Sequence, residues 1–563
     1  MKFKLFKRRL ITPEEKGKLR NEQLLLVLSG ILLGVGFTPF PMPFTLLLFF
    51  GFIPYFYVIE KRHTLAEINR ATYLASFVFN VITIYWVGSW QKEADTFLMI
   101  SGGLLLFVNP IFFLIPSTLL YFARKVFPNR NVIFLLPFFW GAYEYLYMVT
   151  DMSFPWLTLG NGPAKFTAFI QVSDIVGVIG LSLLIIYINI LFYLAFINLK
   201  KSKKKFIYYS LAVLTVFIIV LGYGFYKINT FKESGKRIKV GLIQPNLDPW
   251  EKWEGGNLND LTASYISLSQ QAVSKGAKII VWPETALPVS LLDGSNRDIL
   301  DSIYAFLKKN NVYLITGMPD IRYYLAGENM PDDAIKESQG NLYYAMYNGI
   351  LLFSPDSRWI QRYGKSKLVP FGERVPFVST FPFLGNLIKW GVGISGWNVG
   401  RDTANFSVPY RAGQSAANGF NAKDSIYINS IVCYESIYPY YVTGFVNRGA
   451  EIIAVVTNDS WYGNSSGPYQ HKDISILRAV ENRRTVIRAA NGGISCVIDP
   501  LGRTIIQSEL FTKTFLVSDV SLEDSKTFFT RYPLIIPVLC LIVSVWVLGL
   551  FMLKKIKMKL KLK

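Results

Sequence analysis

The chain has 563 residues, too many for one ordinary domain, and 51% hydrophobic content with 17% charge points to apolar spans joined to a water-soluble part. A formal net charge of +21 would suggest a nucleic-acid partner if the lysines and arginines lay on a soluble surface, and their placement along the chain argues against that. The three cysteines (Cys433, Cys496, Cys540) and two histidines (His63, His471) show no CxxC or His-rich spacing, so no metal is expected.

Residues 1–23 are basic and polar, with Lys2, Lys4, Lys7, Arg8, Arg9, Lys16, Lys18 and Arg20. Apolar segments follow at roughly 24–40, 43–59, 71–90, 97–123, 132–148, 174–198 and 206–227. Most reach the length that crosses a bilayer, the second and fifth only just. One more at roughly 532–553 precedes a lysine-rich tail. The loops at 60–70, 124–131 and 199–205 carry the positive charge, and the opposite loops hold little beyond Lys92 and Lys165. The positive-inside rule therefore predicts eight spans with both termini cytoplasmic. The expected division is a basic cytoplasmic N-terminus (1–23), a seven-helix membrane domain (24–227), an external catalytic domain (228–530), and a final span with a basic cytoplasmic tail (531–563). Charged residues inside the spans are scarce, Glu144 excepted, which speaks against a solute transporter.

Within 228–530 the pattern changes. Residues 238–244, 277–282, 312–317, 344–353, 430–433, 451–457, 485–490 and 495–498 read as strands. Residues 259–276, 296–310 and 469–483 read as helices between them. Several strands are continuous apolar runs, which implies burial on both faces and a layered α/β domain. The stretches 327–341 and 402–428 read as surface loops. The stretch 375–397 is unusually apolar, with Phe377, Phe381, Phe383, Leu384 and Trp390. It is either a buried insertion or an arm that dips into the bilayer interface.

Three motifs end on strands or the loops after them. Val281-Trp282-Pro283-Glu284 presents a carboxylate, Tyr363-Gly364-Lys365 an ammonium, and Val432-Cys433-Tyr434-Glu435 a thiol. Alone, each has an ordinary structural explanation: a helix-start glutamate, a solvated lysine, a core or disulfide-bonded cysteine. Together they form a set for acyl transfer. A thiol near its free pKa is mostly protonated at neutral pH and needs a base, which Glu284 supplies. Lys365 and the N–H of Tyr434 are candidates to stabilise the oxyanion. Glu373 and Glu435 are candidates to orient Lys365 and tune the base. No histidine is required.

With WPE, the YxK…VPFGE stretch and CYE in this order, the chain resembles the nitrilase superfamily of carbon–nitrogen hydrolases. With spans on both sides, and with GFTPF at 36–40, FPWLTLGN at 154–161, TNDSWYG at 457–463 and GPYQH at 467–471, it resembles the family of apolipoprotein N-acyltransferases. The resemblance implies a multi-span helical membrane domain carrying a nitrilase-like αββα sandwich, in a bacterial inner membrane, with the sandwich on the periplasmic side. It implies a ping-pong reaction without a cofactor. Cys433 would take an acyl chain from a membrane phospholipid as a thioester and pass it to the α-amino group of a diacylglyceryl-lipoprotein. Glu284, Lys365 and Cys433 would be catalytic, with Glu373, Glu435 and Tyr434 supporting. Trp253, Trp461, Phe377 and Trp390 would contact lipid. The alternative is a membrane-tethered amidase or nitrilase-type hydrolase.

Overall fold

Eight helical segments among the described residues are long and apolar enough to cross a membrane: Lys16–Gly36, Met42–Ile59, Leu65–Gly88, Thr96–Val126, Val132–Val149, Ser173–Asn198, Lys203–Thr230 and Ile535–Leu560. The structure is a computed structural model that describes residues 13–560 except 93, 95, 129, 254–256, 338–340, 379, 382–395 and 410–424. The first helix begins at Pro13, well before the expected apolar start, because the intervening Lys, Arg, Glu and Leu residues are good helix formers. The short second span is not one helix. It joins Met42–Thr45, a 3₁₀ turn at Leu46–Phe49, and Ile53–Ile59. Broken backbone at membrane depth needs internal partners, and Asn189 supplies them. Its Oδ1 accepts from Phe52 N at 2.9 Å and its Nδ2 donates to Leu48 O at 2.8 Å.

The α/β part is built on two sheets. The first uses β1 (Arg237–Gln244), β2 (Ile279–Val281), β3 (Tyr313–Leu325), β4 (Ile335–Lys336), β5 (Leu342–Phe353), β6 (Gln361–Gly364) and β13 (Thr514–Ser521), in the order β13-β1-β2-β3-β5-β4 with β6 beside β5. The second uses β7 (Phe406–Pro409), β8 (Ser425–Val432), β9 (Ile452–Thr457), β10 (Thr485–Ala490), β11 (Cys496–Ile498) and β12 (Thr504–Gln507), in the order β12-β11-β10-β9-β8-β7. Alternation along β2 explains the layering. Ile279 and Val281 join a core with Ile428, Val455 and Ile487 of the second sheet. Ile280 and the following Trp282 join Tyr265, Leu268, Ile303 and Leu307 of helices Leu258–Ser274 and Arg297–Asn310. Period-two burial on both faces is what the continuous apolar runs required. Two expected loops carry strand: residues 335–336 pair with β5, and β7 pairs with β8 inside the 402–428 stretch. Both are edge strands of two to four residues, and only Phe406 and Val408 of β7 reach the core, too short an alternation to read.

Helix Ser466–Asn482 docks the sandwich onto the membrane domain. Gln470 Oε1 accepts from the indoles of Trp86 (3.0 Å) and Trp156 (2.8 Å), and its Nε2 donates to the carbonyls of Thr38 and Thr83, both at 2.9 Å. Asp473 on the same helix accepts from Thr38 and pairs with Lys165 at 3.3 Å. Glu144, the carboxylate within a span, is buried and accepts from Trp140 Nε1 at 2.9 Å and Leu159 N at 2.8 Å. The other end of the membrane domain gathers basic loops. Arg62 pairs with Glu22 at 2.5 Å, Arg124 donates to Ile59 O at 2.9 Å, and Lys554 donates to Lys125 O at 2.7 Å.

Candidate active site

The three candidate catalytic residues leave strands at the same edge of the sandwich. Glu284 follows β2, Lys365 follows β6 directly, and Cys433 follows β8 directly. The sequence reading ended the β8 strand on Cys433. Cys433 instead opens a 3₁₀ turn (Cys433–Ile437) with φ +48°. A left-handed non-glycine residue where a strand turns sharply is a strained position that projects its side chain out of the ladder. Gly317 admits the Glu284 strand end, because a Cβ there would lie 2.7 Å from Glu284 Cα. Trp282 anchors the same motif from behind, stacked on Tyr265 at 4.6 Å and donating to Ser269 Oγ at 2.9 Å.

Glu284, Lys365 and Cys433 line one pocket of about 100 Å³, with Asn348, Glu373 and Asn458. Its walls are aromatic and apolar: Trp250, Trp253, Trp397, Trp461, Tyr462, and Leu98 from a membrane span. The Lys365 ammonium lies 2.7 Å from Glu373 Oε1 and 3.4 Å from Glu284 Oε1. Asn348 Nδ2 bridges the same two carboxylates at 2.8 Å (Glu284) and 3.0 Å (Glu373). Glu284 Oε2 accepts from Asn458 N at 3.0 Å. Burial works against the Lys365 charge, yet the carboxylates of Glu373 and Glu284 outweigh it and hold its pKa well above the usual lysine range. Cys433 is the mirror case. Burial and the nearby Glu284 carboxylate push its thiol well above the ordinary range, with Lys365 pulling the other way. The resting thiol is therefore protonated at neutral pH.

Glu435 is buried beneath the lysine loop. Its oxygens accept from Tyr363 OH (2.7 Å), Ser366 N (2.7 Å), Lys367 N (3.1 Å) and Val432 N (2.8 Å). One carboxylate thus clamps the turn before Cys433 to the turn after Lys365. Tyr434 points away from the pocket, donating to Ser153 O at 2.8 Å and stacking near Phe154. Trp253 and Trp461 do line the pocket, whereas Phe377 lines an adjoining groove and Trp390 lies outside the described residues.

Several residues here carried no role in the sequence reading. His471 lies behind the nucleophile, with Nε2 2.9 Å from Ser436 Oγ and 3.1 Å from Cys433 O, and Nδ1 2.8 Å from Asp459 Oδ1. Burial, then the Arg488 guanidinium, lower its pKa, which favours the neutral ring. Cys433 Sγ, an Asp459 oxygen and a His471 nitrogen lie within 4.8 Å of one another. The Arg488 guanidinium already pairs with Asp459 and approaches His471 Nδ1 at 3.1 Å, so that corner holds its cation in a side chain. Asn348 and Asn458 also went unassigned. The signal for Asn458 and His471 lay in the TNDSW and GPYQH stretches, polar runs after an apolar strand.

Lys252 is buried, its ammonium donating to Thr285 O at 2.8 Å and Thr285 Oγ1 at 3.1 Å. Burial lowers its pKa from 10.5 to about 8, against the pull of Glu284. Between those values the unfolded chain binds the extra proton, so folded stability rises with pH across that window. Relative to Lys252→Met, wild-type unfolding free energy is expected to rise by about 3 kcal/mol between pH 8 and 10.5. Parallel pH profiles for the two proteins in detergent would contradict a depressed Lys252.

Residues 239–528 match the carbon-nitrogen hydrolase family model, and residues 29–191 match that of the apolipoprotein N-acyltransferase N-terminal domain. The chain is 33% identical to the apolipoprotein N-acyltransferase of Chlorobaculum tepidum, over 92% of this chain and 94% of that one. It is 29% identical to that of Geobacter metallireducens, over 93% and 94%. Among solved structures, an amidase from Nesterenkonia sp. aligns over 53% of this chain and 94% of its own, at 16% identity and a TM-score of 0.34.

Proposed function

Given that the chain belongs to the apolipoprotein N-acyltransferase family, we propose that Cys433 carries an acyl group from a membrane phospholipid to a lipoprotein amine. In the first step Glu284 takes the thiol proton, and sulfur attacks the ester carbonyl. The C–O bond breaks, and the proton goes to the departing lysophospholipid oxygen, leaving a thioester. In the second step the α-amino group of the diacylglyceryl-cysteine attacks the thioester. Its proton passes through Glu284 to the departing sulfur, and an amide results. Lys365 stabilises the oxyanion in both steps. Because Glu373 holds the ammonium more closely than Glu284 does, Glu284 stays available as the base.

The observation that carries this reading is the pocket itself. The thiol, the carboxylate and the ammonium open onto an aromatic wall that includes Leu98 of a membrane span, so an acyl chain reaches the thiol from the bilayer without crossing water. The basic ends at Arg62, Arg124 and Lys554 lie opposite the sandwich, which supports cytoplasmic termini and a periplasmic catalytic domain.

Intact-protein mass spectrometry after incubation with phospholipid tests the reading. One added acyl chain is expected, mapping to the Cys433 peptide and discharged by a diacylglyceryl lipopeptide. An adduct lost equally fast without the lipopeptide would make the protein a hydrolase.

A further inference from the structure

A second cavity lies on the other side of the Lys365 loop, and the catalytic steps above do not use it. Its volume is about 270 Å³, and it is lined by Thr150, Asp151 and Ser153 of the membrane domain, and by Ser366, Lys367, Arg374, Phe377 and Tyr438 of the sandwich. Thr150 caps the C-terminal end of helix Leu136–Val149, so the groove lies where a membrane span ends, at the level of the lipid headgroups. Residues of the lysine loop divide between the two cavities. Lys365, Val369, Gly372 and Glu373 face the thiol, and Ser366, Lys367, Pro370 and Arg374 face the groove.

The charges in the groove are unequal in their commitments. Arg374 pairs with Asp333 at 2.5 Å. Lys367 has no carboxylate within ion-pair distance among the described residues, and its ammonium stands 5.6 Å from the centre of the Tyr438 ring. Its main chain is held by Glu435, which follows Cys433 by two residues, so the ammonium has a fixed origin relative to the nucleophile. Asp151 is exposed at the rim.

We propose that this groove binds the phosphodiester of the acyl-donor lipid, with Lys367 as its cationic partner. The proposal rests on the phospholipid-donor reading above. Lys365 and Lys367 are two residues apart across a bend, at most about 7 Å, so a donor whose ester lies at Cys433 reaches over the loop edge to place its phosphate on the Lys367 side. A lysine ammonium is a point charge with rotatable donors and suits a mobile headgroup. Asp151 at the rim disfavours binding of a purely anionic surface by charge alone.

The test compares two acyl donors on the full-length protein in detergent: phosphatidylethanolamine, and p-nitrophenyl palmitate, which has no phosphate. Acyl-enzyme formation is followed by intact mass. Lys367→Glu is expected to slow acylation by the phospholipid about tenfold or more, the worth of one charge-assisted hydrogen bond, and to leave acylation by the nitrophenyl ester at the wild-type rate. Lys367→Arg is expected to restore most of the phospholipid rate. Equal losses with both donors would make Lys367 a structural support of the loop, and no loss with either would leave the groove without a role in donor binding. Both outcomes overturn the proposal. Failure of the wild-type protein to take an acyl group from the phospholipid, while still taking one from the nitrophenyl ester, would instead remove the donor reading on which it rests.

Discussion

Glu284→Gln is expected to lower the rate of Cys433 acylation by about 10²- to 10⁴-fold, the usual worth of a positioned general base. The thiol that must react is held protonated by its burial and by Glu284 itself, so no reservoir of thiolate exists to bypass the loss. Glutamine keeps the volume but not the acceptors. The carboxylate takes hydrogen bonds from Asn348 Nδ2 and Lys365 on one oxygen and from Asn458 N on the other. An amide nitrogen in either place sets donor against donor. The readout is the single-turnover rate of adduct formation at several pH values. A general-base role further predicts partial recovery at high pH, where hydroxide ionises the thiol. A variant that acylates at the wild-type rate would assign the base elsewhere.

The second large effect is expected from Glu435→Ala, which should destabilise the catalytic domain by about 3–5 kcal/mol and abolish acyl transfer. Removing this side chain strands the backbone N–H groups of Ser366, Lys367 and Val432, while the Tyr363 hydroxyl keeps only Tyr441. Each stranded buried donor costs a desolvation penalty, and nothing nearby replaces a fully buried carboxylate. The catalytic cost has the same origin, since the turn carrying Lys365 and the turn carrying Cys433 are no longer tied together. Glu435→Gln retains one acceptor and is expected to lie between the two in thermal midpoint. A Glu435→Ala protein with an unchanged midpoint and a slow adduct would instead mean that the residue acts on chemistry alone.

Much of the candidate site was readable because catalytic groups leave strands where the apolar run stops. Glu284, Lys365 and Cys433 each follow such a run, and the three residue types made chemical sense together. Asn348 was not readable, because it lies inside β5, where a polar residue usually faces solvent. It faces Glu284 and Glu373 only because β6 brings the lysine loop alongside. His471 was set aside for want of a zinc partner, yet its neighbours Asp459, Arg488 and Ser436 come from three other parts of the chain. The helical course of residues 13–23 was hidden by their charge, since apolar periodicity reports burial and not helicity.

The eight apolar spans were legible from local composition. Span lengths and the side on which lysines collect are one-dimensional properties of the chain, set by the thickness and asymmetry of a bilayer. Residue chemistry at strand ends singled out Glu284, Lys365 and Cys433, and the fold brings the three to one pocket. The rest depended on long-range contacts that no local pattern encodes. Gln470 joins Trp86, Trp156, Thr38 and Thr83 across more than 300 positions, and so sets the sandwich on the membrane domain. Leu98 and Trp397 meet at one pocket wall from opposite sides of that joint. Buried polar groups must find partners wherever the packed chain presents them, so those partners become visible only once the chain is folded.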